Sequence, residues 1–200
     1  MSLIIDIHAL QTIPPSLINR DDTGAPKTAV FGGVPRQRVS SQSWKRAIRR
    51  YFENQFDSEQ IGDRSKRLPE KIARLLEEQG VEQADAIARA EKLFKDAGIK
   101  SEVDKKPKKV DEDAPEHNPY PRTTYLIFLS QQQINRAVEE LLARGDDKLT
   151  KNEAKAILDT NHSVDMAMFG RMIADDAAYN VDAAVQVAHA IGIHNSTPDF

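Results

Sequence analysis

The chain has 200 residues, 40% of them apolar and 30% charged, with a formal net charge of −3 and no cysteine. This is the composition of a water-soluble globular protein long enough for one domain, or for one with a sizeable insertion. It excludes a disulfide framework, a thiolate nucleophile and cysteine-ligated zinc. No apolar run reaches the roughly 20 residues that span a bilayer. The N-terminus MSLIIDIHAL lacks the basic start of a secretory signal, so the expectation is a cytoplasmic protein with no membrane partner.

Leu3, Ile5, Ile7 and Ala9 alternate at period two, which predicts a first strand over LIIDIHAL. Residues 11–35, with four prolines and three glycines, read as a long irregular loop. From Ser41 to about Phe56 the spacing predicts a helix. Trp44, Ala47, Ile48, Tyr51 and Phe52 form an apolar stripe, while Gln42, Lys45, Arg46 and Arg49 gather on another face. Residues 66–98 read as two helices broken near Gly80 and ended by Gly98. The charged, proline-rich stretch over about 100–121 reads as a mobile loop with little to bury. TTYLIFLS is a buried strand, QQQINRAVEELLARG a helix ending at Gly145, and Lys151–Leu158 a short helix. HSVDMAMFGRM fits either period. A last helix is expected from Asn180, as its cap, through VDAAVQVAHAI to Gly192. The fold class is α+β with a helical middle.

The charge is unevenly spread. Residues 23–52 contain Lys27, Arg36, Arg38, Lys45, Arg46, Arg49 and Arg50 and no acid, a segment of +7, which leaves −10 on the rest of the chain. A solvated helix face would explain most such runs. Here, however, Lys45/Arg49 and Arg46/Arg50 are like-charge i,i+4 pairs, where a neutral face would mix signs. Lys45 and Arg46 also stand near a helix N-terminus, against the macrodipole. Serine hydroxyls, amide groups at the helix start and the flanking Arg36 and Arg38 together suit phosphate. Binding of an extended polyanion relieves this frustration, and there is no GxxxxGK[ST] loop for a single nucleotide.

Catalytic patterns are thin. The five histidines show no HxxxH or HExxH spacing, and no serine sits in a nucleophile elbow. His8 and His189 read as hydrogen-bonded structural residues, and Asp21 and Asp22 as turn formers. Met166, Met168 and Phe169 suit a core unless they surface beside bases. No metal and no cofactor is expected.

FGGVPRQRVSSQSWKRAIRR, with LNRDD before it and VDMAMFGRM and NVDAAVQVAHAI after it, resembles CasC (Cse-type), the repeated backbone subunit of the type I-E CRISPR complex Cascade. The resemblance implies a palm with an RRM-like, ferredoxin-type sheet over 1–58 and 180–192. It also implies a helical fingers insertion over 59–179, and a thumb beginning at 193–200. Family members are longer, so the thumb and the remaining palm strands are expected outside these 200 residues. The implied function is non-catalytic: the subunit binds CRISPR RNA (crRNA), polymerises along it, and displays the guide for pairing with target DNA. Implied partners are crRNA, target DNA through the guide, further copies of the subunit, and the large and small Cascade subunits. By position in the matching motifs, Arg20, Lys27, Arg38, Ser40, Gln42, Lys45, Arg46 and Arg49 would meet the RNA backbone. Met166 would lie near its bases or the neighbouring thumb, with Arg171 as a further polar contact. Two other readings stay open: an endoribonuclease on a related fold, using Asp21 or Asp22, and a protein whose basic face docks an acidic partner.

Overall fold

The computed structural model describes residues 3–103, 118–145, 147, 149–173 and 177–197. The greater part of the expected mobile loop, and Phe200 at the expected thumb, lie outside the described residues. The protein is a mixed α+β chain of two compact units, one of residues 1–47 and 187–200, the other of residues 48–186.

The first unit is built on a hairpin. Strands β1 (Thr28–Phe31) and β2 (Val34–Val39) pair antiparallel from Thr28↔Gln37 to Phe31↔Val34. They are joined by Gly32 and Gly33, both at positive φ (66° and 78°). A two-residue turn of this kind needs φ > 0 twice, which Gly-Gly supplies without strain. This corrects the expectation of irregular chain up to Pro35: the turn signal was present, but the prolines masked it. Helix α1 (Ser41–Phe52) follows, shorter than expected by a turn, and its expected apolar stripe is not a buried face, since Trp44, Ala47 and Tyr51 are exposed. It passes from the first unit into the second at Ala47/Ile48. Strand β7 (Ala190–Ile191) pairs antiparallel with β2, which gives the order β1-β2-β7.

Two sequence expectations fail here. Leu3–Leu10 forms no strand, and its apolar side chains are exposed, Leu10 at 94%. A period-two pattern makes a strand only when a sheet edge and an apolar face receive it. Among its described residues this unit buries no apolar side chain at all. The expected helix from Asn180 is also absent. The Asn180 side chain accepts from Ile173 N (2.8 Å) instead of capping. Val181 and Arg171 exchange backbone hydrogen bonds, and the Ala184 and Val185 amides donate to the Ala167 and Met168 carbonyls. Tertiary pairing thus satisfies the backbone that a helix would have used internally.

The second unit holds the apolar core. It comprises β3 (Gly62–Ser65), α2 (Leu68–Glu78), α3 (Gln83–Asp96), β4 (Ser101–Glu102), β5 (Arg122–Thr123), β6 (Ile127–Ser130), α4 (Gln131–Arg144), α5 (Lys151–Leu158) and α6 (Val164–Phe169). The break at Gly80 (φ 90°) closes with the Val81 amide on Leu76 O and the Gly80 amide on Glu77 O, a C-terminal lock that only glycine adopts cheaply. Capping boxes of Ser130 with Gln133, and Thr150 with Glu153, start α4 and α5. Leu68, Ile72, Leu76, Phe94, Ile127 and Ile134 are among the fully buried core side chains. β3 pairs antiparallel with β6.

One carboxylate in this core is surrounded by cations. Glu70, 2% exposed, accepts two hydrogen bonds from Arg67 (both 2.7 Å), two from Arg74 (both 3.1 Å) and one from Asn118 (3.4 Å). Hydrogen bonding from Arg67, above all, holds its carboxyl at about 2, below the ordinary 4.5. A depressed folded-state value stabilises the fold above the unfolded value, and the contribution is lost as pH falls through the folded one. Stability measured by urea unfolding should therefore decline between about pH 4.5 and pH 2. Glu70→Gln should cost about 2–3 kcal/mol near neutral pH and flatten that decline.

Candidate nucleic-acid interface

Three backbone segments of the first unit converge on Asn19. Its carbonyl accepts from Lys27 N (2.9 Å), and its side-chain Oδ1 accepts from Ser40 N (2.9 Å). Arg20 and Pro26 form the next bridge, and Arg38 N donates to Lys27 O (2.9 Å). The sequence-distant cations Arg20, Lys27 and Arg38 are thereby set on adjoining backbone rungs. The loop between Arg20 and Pro26 is closed by Asp21, whose Oδ1 accepts from Thr23 N (2.8 Å), Thr23 Oγ1 (2.7 Å) and Ala25 N (3.0 Å). These bonds, led by the Thr23 hydroxyl, pull its carboxyl below the usual range. Asp21 is thus a turn-former by its contacts.

Ser40 opens α1. Its Oγ accepts from Ser43 N (3.3 Å) and its carbonyl from Trp44 N (3.2 Å). Its hydroxyl is buried by this capping role, with the residue 3% exposed. The Ser41 amide donates to His189 Nδ1 (2.9 Å), so His189 is hydrogen-bonded as expected, though from extended chain and not from a helix. The first amides of α1 are therefore largely engaged by the protein. The expectation that they stand open to an anion is corrected: side chains must supply the grip. Arg36, another expected flank of that anion site, is also spent. Its guanidinium donates to Phe31 O (2.9 Å), Gly192 O (3.1 Å) and Ile193 O (2.5 Å), stapling the hairpin to the chain after β7.

Of the cations of this unit, Arg20 and Arg46 are exposed and Lys27, Arg38 and Lys45 half-buried, with the exposed Gln42 on the same helix as Lys45 and Arg46. The Nε of Arg38 is buried and makes no hydrogen bond. Such an orphaned donor is costly to a fold.

The remaining expected contacts belong to the second unit. The Arg49 guanidinium sits over the rings of Phe169 (5.0 Å) and Phe128 (5.7 Å), with Asp165 at 4.0 Å. Met166 is fully buried. Arg171, 5% exposed, donates to Tyr179 O (2.9 Å), Phe128 O (3.2 Å), Leu158 O (3.4 Å) and the Asp159 carboxylate. Neither Met166 nor Arg171 offers a surface to RNA in this arrangement. Sequence reading also missed Asn19 as an organiser, and Ser41 as the partner of His189. An asparagine ahead of the RDD turn was a usable hint, whereas nothing local marks His189 as a partner of Ser41.

A cation-bearing hairpin and capped helix, with a separate helical unit, define an α+β protein whose concentrated charge lies on the smaller unit. The chain belongs to the CT1975-like protein family, which it matches over residues 5–200. It is similar to a solved chain titled "CRISPR RNA-guided surveillance complex", at 33% identity and a TM-score of 0.67, covering 94% of this chain and 57% of that one. A second, titled "CRISPR RNA-guided surveillance complex, pre-nicking", matches at 33% identity and a TM-score of 0.69, covering 91% and 50%. The chain thus spans about half the length of the structures it resembles. No curated protein matches it. No described helix is long and apolar enough to cross a membrane.

Two substitutions separate organising residues from surface ones. Asn19→Ala should weaken binding to single-stranded RNA in a filter or anisotropy assay, because it unpins the rungs that carry Lys27 and Arg38. Losing the Oδ1 bond should cost about 1 kcal/mol of stability. Arg171→Ala takes the guanidinium away from Asp159 and from three carbonyls and should cost about 3–5 kcal/mol in urea unfolding. An unchanged unfolding midpoint would return Arg171 to the list of RNA contacts.

Proposed function

We propose that this chain is a crRNA-binding backbone subunit of a Cascade-type CRISPR surveillance complex, of the type I-E class. It grips the guide through its phosphates and presents the bases to target DNA, with no nuclease chemistry of its own. The single observation that carries this reading is the gathering of Arg20, Lys27 and Arg38 on adjoining backbone rungs around Asn19, from which Ser40 opens the helix that bears Lys45 and Arg46. The likeness at 33% identity to chains of RNA-guided surveillance complexes supports it. A guide varies in sequence, so its carrier must hold phosphates and leave specificity to base pairing. Lysines and arginines without an array of base-reading amides meet that requirement.

The β1-β2-β7 sheet and the start of α1 support the reading of an RRM-like palm, and the expected fingers, residues 59–179, fall within the larger unit. The partners on this reading are crRNA, target DNA through the guide, further copies of the subunit, and the large and small subunits of the complex, in the cytoplasm. Asp21, the one candidate for RNA cleavage with a defined geometry, spends an oxygen on three donors of its own turn. The nuclease reading is therefore not favoured.

The test is binding to labelled single-stranded RNA across a salt series, with the RNA run on a gel afterwards. Four to six phosphate contacts give a log–log slope of roughly −3 to −4, indifferent to base sequence. Lys45→Glu with Arg46→Glu should lower that slope by about 1.4. A flat slope would sink the proposal, and cleaved RNA that survives intact with Asp21→Ala/Asp22→Ala would replace it with the nuclease.

A further inference from the structure

Residues 62–74, GDRSKRLPEKIAR, carry five basic side chains and two acidic ones, in the second unit and outside the basic segment that dominates the sequence. Both acids are already committed. Asp63 pairs with Lys71 (3.2 Å), and Glu70 with Arg67 (2.7 Å) and Arg74 (3.1 Å). Arg64 and Lys66 are exposed and have no ion-pair partner among the described residues.

Arg64 stands opposite Phe128 in the β3–β6 register. Over that same ring lies the Arg49 guanidinium. Burial lowers the affinity of Arg49 for its proton; Asp165 opposes this, and the nearby charge of Arg64 adds to it. The countercharge is poorly placed. Asp165 Oδ2 is 4.0 Å from Arg49 Nε, beyond hydrogen-bond reach, and Oδ1 accepts from Gly62 N (3.1 Å). Arg49 Nε is buried with no hydrogen bond. Arg49 therefore has one distant carboxylate as countercharge while the guanidinium of Arg64 acts on it as a second positive charge, and Lys66 adds a third cation two residues along the chain from Arg64. A fold that holds excess positive charge at a surface gains when an anion arrives.

We propose that Arg64 and Lys66, together with Arg49, form a second phosphodiester-binding surface, on the helical unit, which takes the backbone of an RNA or DNA strand. This rests on the reading of the protein as a guide-holding subunit. It adds a contact that the hairpin and the start of α1 do not supply. The surface reads charge and not sequence, since its groups are cations that meet phosphate oxygens.

The test compares the full chain with Arg64→Gln/Lys66→Gln in two titrations across a salt series: single-stranded RNA alone, and complementary DNA added to the protein–RNA complex. Among the described residues neither side chain makes a hydrogen bond or ion pair, so the variant should keep the wild-type melting temperature. The expected result is a slope smaller by about 1.4. If this appears with RNA alone, the surface belongs to the guide strand; if only on DNA addition, it belongs to the target strand. Unchanged slopes in both titrations overturn the proposal. A charge-keeping pair, Arg64→Lys/Lys66→Arg, must retain the wild-type slope, and its failure to do so would show that the loss came from the fold. Lys45→Glu/Arg46→Glu runs alongside: if it loses binding while Arg64→Gln/Lys66→Gln does not, only this surface is wrong. If neither loses binding, the guide-holding reading falls with it.

Discussion

A buried guanidinium organises the helical unit. Arg171 has almost no access to water, so its charge must be met from within, and a cation left unmet at such a site would cost several kcal/mol. It reaches acceptors on β6, at the end of α5, on Asp159 and on Tyr179. Each of those segments is fixed in position by the need to satisfy one side chain. Tyr179 extends the arrangement, since its hydroxyl donates to Ala97 O (2.8 Å) just beyond α3. The apolar core supplies the stability of this unit, and the arginine gives its chain ends a single arrangement.

The smaller unit follows a different principle. With no apolar side chain buried among its described residues, it keeps its shape by directed hydrogen bonds: the two faces of Asn19, the Ser40 cap, the three carbonyls taken by Arg36, and Ser41 on His189. Hydrogen bonds fix orientation better than they add stability. They hold charges at set positions, which is why cations so far apart in sequence occupy neighbouring rungs.

What the sequence made legible follows from the range of each cause. α1, α2, α3, α4 and α5 were readable because periodicity, glycine stops and caps act within a few residues. The cationic row was readable because it is a matter of composition over one segment. The first strand and the helix after Asn180 misled for the opposite reason. Leu3–Leu10 depends on a partner that local pattern cannot supply. Val181–Val185 is claimed by backbone groups of 167–171 that no propensity anticipates. The site was half legible: Lys45 and Arg46 by charge, but the sequestration of Met166 and Arg171 only from packing. Arg36 looked like a phosphate ligand because an arginine carries the same charge whether it faces carbonyls or solvent.

The bond from Arg36 to Gly192 closes a span of 156 residues, and β7 completes its sheet only across the same distance. Closing so long a loop costs more chain entropy than any local turn, and it must be met before the contact returns anything. During synthesis the hairpin emerges early and waits for its third strand while the whole of the helical unit is made. The order of assembly is thus written into the connectivity. The helical unit can gather its core from contiguous chain, whereas the small sheet is finished late, and its exposed edge is the stretch most open to wrong pairing in the interval.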